Sequence, residues 1–73
     1  MKMIPWYSEA SLVAGTHIFR VGTLVQCVRK WRLLAQLDQA AACIHLSEEM
    51  DGRTILNCDD VAALATHPES SRV

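Results

Sequence analysis

From Leu24 onward the apolar residues recur at helical spacing. Leu24, Cys27, Val28, Trp31, Leu34 and Ala35 fall within an arc of roughly 120° at about 100° per residue. Just ahead of them, Thr23 and Gln26 match the S/T-x-x-E/Q capping box, in which each side chain satisfies a backbone donor left unpaired by the first turn. The pattern predicts a helix over 24–37. Residues 16–22 (THIFRVG) are rich in β-branched and aromatic types and end at a glycine. They predict a strand, with Ile18 and Arg20 on one side and His17, Phe19 and Val21 on the other. Residues 8–14 carry a capping serine, Ser8, and are followed by Gly15, which predicts a short helix.

Beyond residue 38 the period changes to two. Ala42, Ile44 and Leu46 alternate with Ala41, Cys43, His45 and Ser47, and Asp51-Gly52 is a tight-turn dipeptide before Thr54–Leu56. A β-hairpin is predicted. Its competitor is a helix over 38–50, because the run is alanine-rich and Ala40, Ala41 and Ile44 sit at helical spacing. The last element is marked by Asn57 as N-cap, by Asp59 and Asp60 in a first turn that favours carboxylates, and by an apolar stripe of Val61, Leu64 and Ala65 up to Pro68.

These elements predict an α+β fold in one small domain spanning 1–73. A small antiparallel sheet, formed by the hairpin plus one strand, packs against the main helix and a short C-terminal helix. Residues 1–7, with Trp6 and Tyr7 after Pro5, form an arm across the core, and 68–73 a flexible tail. The predicted core is Leu24, Val28, Trp31, Leu34, Ile44, Leu46, Ile55, Val61 and Leu64.

Charge sharpens this picture. Residues 1–37 hold five cations against Glu9, and residues 38–73 two cations against seven carboxylates, so the halves stand at +4 and −5 behind a net charge of −1. Signs this opposed suit a contact between halves or between copies. They do not describe a chain with one dominant basic surface. The three cysteines are odd in number and widely spaced, and no h-region precedes them, which predicts free thiols in a cytoplasmic setting. The most apolar window, 10–28, contains His17, Arg20 and Gln26 and two glycines, so no membrane association is expected.

The stretch CVRKWRLL, residues 27–34, surrounds Trp31 with Arg29, Lys30 and Arg32. On a helix, Arg29 projects roughly 160° away from Trp31, and Lys30 and Arg32 about 100° to either side. A stacking groove for nucleic acid needs aromatic and cations on one surface. Here the geometry predicts a core tryptophan and a solvated cationic side. Val25, Leu33 and Leu37 fall outside the apolar arc, and a helix apolar on two sides must meet a second layer or another chain.

No catalytic constellation or cofactor motif is present, and Gly15, Gly22 and Gly52 are isolated. The predicted function is that of a small non-enzymatic module binding another protein or a second copy of itself, with Val25, Leu33, Leu37, Arg29 and Lys30 at the contact. One alternative is a nucleic-acid binder using Arg20, Arg29, Lys30 and Arg32. Another is a zinc-stabilised module through Cys43, His45 and Cys58, whose thiolate and imidazole groups suit zinc but lack paired C-x-x-C spacing.

Overall fold

The computed structural model describes residues 4–50 and 52–67. Its elements are β1 (Glu9–Ala14), β2 (His17–Thr23), α1 (Leu24–Arg32), α2 (Gln36–Ala41), β3 (Cys43–Met50), β4 (Arg53–Leu56) and α3 (Cys58–Ala65). The strands form one antiparallel sheet in the order β2-β1-β3-β4. Since β2 and β3 both oppose β1, they run parallel to each other, and α1 with α2 makes the crossover between them. The α+β class holds, with one strand more than expected, and the hairpin holds over 43–56; residues 38–41 are a correction, since this alanine-rich stretch follows its helix propensity and forms the end of α2.

That extra strand is β1, where a short helix was predicted. Placed between β2 and β3, the same residues alternate correctly for a central strand: Ala10 and Leu12 are buried, and Ser11 and Val13 turn to the other side. Gly15 takes φ +61°, so its left-handed geometry closes a hairpin instead of stopping a helix. Gly52 does the same at φ +77° before β4, while its turn partner Asp51 lies outside the described residues, as do residues 1–3, Pro68 and the predicted tail.

The predicted faces of β2 need correction. Leu12 pairs with Arg20 but Val13 pairs with Ile18, so Phe19 is the extra residue of a β-bulge. Past the bulge the alternation is reset. Ile18 and Val21 share one side, while Arg20 points to the side that carries α1, and Phe19 packs partly against the core.

The Thr23 capping box forms as predicted: Gln26 N–H donates to Thr23 Oγ1 at 3.3 Å, and Thr23 N–H donates to Gln26 Oε1 at 3.1 Å. The helix it starts is shorter than predicted. α1 ends at Arg32, Leu33 caps it, and Ala35 is extended (φ −62°, ψ 155°) before α2 begins. No proline or glycine marks the break. It is held instead by a reciprocal pair, in which Trp31 Nε1–H donates to the Gln39 carbonyl at 3.1 Å and Gln39 Nε2–H donates to the Trp31 carbonyl at 3.0 Å. Both bonds require α2 to fold back on the end of α1.

The core lies between the sheet and the helices. Leu12, Leu24, Val28, Ile44, Leu56 and Val61 are fully buried, joined by Leu46 and Leu64. Trp31 and Leu34, predicted central, pack at its margin. Ile55 is a correction: it pairs with His45, and Leu56 with Ile44, so Leu56 points inward and Ile55 outward. Trp6 of the arm is buried, and its carbonyl accepts from Val25 N–H at 3.0 Å.

At the C-terminal end, Asn57 Oδ1 accepts from Asp60 N–H at 3.0 Å and Asp60 Oδ2 from Asn57 N–H at 3.2 Å, a second capping box. The Asp60 carboxylate also takes a two-pronged bond from Arg53, both distances 3.0 Å, tying β4 to α3. The Arg53 guanidinium hydrogen-bonded to it holds the Asp60 carboxyl below the usual carboxylate value.

Candidate functional site: the cationic side of the first helix

Arg20 on β2 and Gln26, Arg29, Lys30 and Leu33 on and just after α1 line one shallow surface concavity of about 330 Å³. The bulge at Phe19 puts Arg20 there, since it leaves this side chain on the helix-bearing side of the sheet. Arg29 and Leu33 also line an adjoining concavity with Arg32. The four cations of the nucleic-acid reading therefore form one continuous surface, with Leu33 at its centre.

Leu33 is 80% exposed and Leu37 86% exposed. They do not form a continuous seam at i,i+4, because Leu33 caps α1 and Leu37 belongs to α2. Val25, predicted at the contact, is buried in the same core cluster as Trp6 of the arm, to whose carbonyl its N–H donates. It belongs to the core.

Trp31 lies elsewhere. Its surroundings are Gln36, Gln39, Ala40, Cys58, Asp59 and Ala62, which line a separate concavity between the helices. The predicted divergence of indole and cations is thus present: the ring turns towards α2 and α3, where its N–H is committed to the Gln39 carbonyl. Among the described residues, no aromatic side chain lines the cationic concavity.

The cysteines are free thiols in three different settings. Cys27 is on the buried side of α1, and burial pushes its thiol up to about 11 against the opposing pull of the Arg20 charge. Cys43 lies on β3 and Cys58 opens α3. Among the described residues no three His, Cys, Asp or Glu side chains come together as a metal site, so Cys43, His45 and Cys58 are not assembled into one. No described helix is long and apolar enough to cross a membrane.

Comparison with protein-family models, with curated proteins and with solved structures finds no match to this chain. What the site can do therefore rests on its own chemistry. Three cations and an amide around an exposed leucine suit a surface that presents carboxylates beside an apolar side chain. Arg20 is the member whose place the periodicity of one helix could not supply, because it arrives from a neighbouring strand through a bulge.

Proposed function

We propose that this protein is a small non-enzymatic interaction module, working in a reducing, cytoplasmic setting, that docks an acidic segment of another protein on the cationic side of α1. The observation that carries this reading is the convergence of Arg20, Arg29 and Lys30 from two elements around Leu33. The cations steer and orient an acidic partner, and Leu33 supplies the apolar contact that charge alone lacks. The buried thiol of Cys27, with its proton held tightly, supports a structural rather than nucleophilic role for that residue.

Nucleic acid is the second reading, favoured by the same grouping of Arg20 with Arg29 and Lys30. It is the lesser one because the stacking residue lies on a different surface, whereas single-stranded nucleic acid is usually held by cations and aromatics together. An affinity capture from the native cell separates the two. The purified full chain serves as bait with and without nuclease, beside the Arg29→Glu/Lys30→Glu variant. A discrete protein retained by the natural chain after nuclease treatment and lost from the variant fits the proposal. Capture that vanishes with nuclease moves the assignment to nucleic acid.

A further inference from the structure

The side of the sheet turned away from the helices can be read directly from register. Val21 pairs with Ser11, Ser11 with His45, and His45 with Ile55, a row that crosses all four strands. A second row runs from Ile18 to Val13 to Cys43. In an antiparallel sheet whose second face meets water these positions are ordinarily polar. Here five of the seven are Val, Ile or Cys, and Ile18, Val21 and Ile55 are 59%, 66% and 53% exposed.

We propose that this face is the interface of a symmetric homodimer, packed sheet against sheet. Two features select a second copy over an unrelated protein. The first is charge: the two rows hold no Asp, Glu, Lys or Arg, and the adjoining row at the end of the sheet, Glu9 with Thr23, adds one carboxylate at the margin of the face. Hetero-complexes draw specificity and register from complementary charges, whereas a two-fold contact can be matched by shape and apolarity alone. A two-fold axis parallel to the strands lays Val21 over Ile55 of the second copy, with the smaller polar centre of the row, Ser11 and His45, meeting its own counterpart. The second is area. A stable interface takes about 800 Å² from each partner, about one-sixth of the 4761 Å² surface of the chain. One whole face of a two-layer molecule with extents of 33 × 22 × 19 Å offers a share of that order.

This contact is independent of the cationic side of α1, since Arg20 and the helix lie on the opposite side of the sheet. Sedimentation of the full chain from micromolar to millimolar concentration tests it. The mass should double across that range, and alkylation of Cys43 should slow as the dimer forms. Val21→Asp with Ile55→Asp should raise the dimer dissociation constant about 100-fold or more. Val21→Thr with Ile55→Thr, which keeps strand-forming side chains, should raise it about tenfold if the charged pair disturbs folding. Leu33→Asp with Leu37→Asp should leave it unchanged. A natural chain that stays monomeric throughout, or a dimer broken by the Leu33 and Leu37 changes and spared by those at Val21 and Ile55, overturns the proposal.

Discussion

The two faces of this sheet are built from the same strands and much the same residue types, yet they do opposite things. Ile44 and Leu56 are neighbours on the helix-bearing face and are fully buried, whereas His45 and Ile55, one position along, are neighbours on the other face and are exposed. Isoleucine is a source of stability on the first face, at Ile44, and is left open to solvent on the second, at Ile55, where the proposed contact would use it. Which it becomes is decided by what lies above it, here α1 and α3 on one side only.

The sharpest way to break this comparison is to make the same truncation on both faces. Ile44→Ala or Leu12→Ala should cost about 2–5 kcal/mol of unfolding free energy, read from the denaturant midpoint at low protein concentration. Ile55→Ala under the same conditions should cost about 0.5 kcal/mol or less. Equal losses would mean that the exposed face is sealed in the monomer. The cysteines make the same contrast chemically. Cys27, raised from 9.0 to about 11 by burial, holds about a hundredfold less thiolate in mildly alkaline buffer than an ordinary thiol. It should resist alkylation until the chain unfolds, while Cys43 on the open face of the dilute monomer reacts.

Much of the helix-bearing face was legible in the sequence, and the reason is local. The Thr23 capping box and the Asn57 cap are each spelled out within four residues, and Ala42, Ile44 and Leu46 alternate without interruption. Most of the misreadings arise where residues outside the local pattern decide. Residues 8–14 become a strand because β2 and β3 offer partners on both edges. Val25 joins the core together with the distant Trp6, to whose carbonyl its N–H is bonded. The break after Arg32 depends on the exchange of bonds between Trp31 and Gln39, and the reset faces of β2 depend on a bulge with no composition signal. The candidate site was legible in part: Arg29, Lys30 and Leu33 follow from helical spacing, while Arg20 could be grouped with them only by charge, as in the nucleic-acid alternative, and the bulge that brings it there was not read.

Smaller effects sharpen the comparison at the sheet's two ends. Asn57→Ala should cost about 1 kcal/mol by removing a cap, measured by thermal unfolding, and Thr23→Ala should cost a similar amount. Gly22→Ala should lose part of that too, because its added methyl would meet the Gln26 amide that closes the Thr23 box. The Asn57 end differs in being sensitive to acid. Asp60 is lowered in the folded chain, first by its bond from Arg53. Its contribution is therefore complete above the unfolded carboxylate value of about 4 and is lost as pH falls through the lower folded value. In Arg53→Met that acid-dependent part should largely disappear, so the two unfolding profiles should draw together as the pH falls from about 4 through the lower folded value.

The most direct test of a module with two separate contact surfaces is crosslinking from each of them in the native cell. A photoreactive side chain is placed at Leu33 in one variant and at Ile55 in another. The expected result is a protein adduct of a different chain from Leu33, and an adduct of twice the monomer mass from Ile55. The same adduct from both positions, or nucleic acid bound at Leu33, would contradict the account.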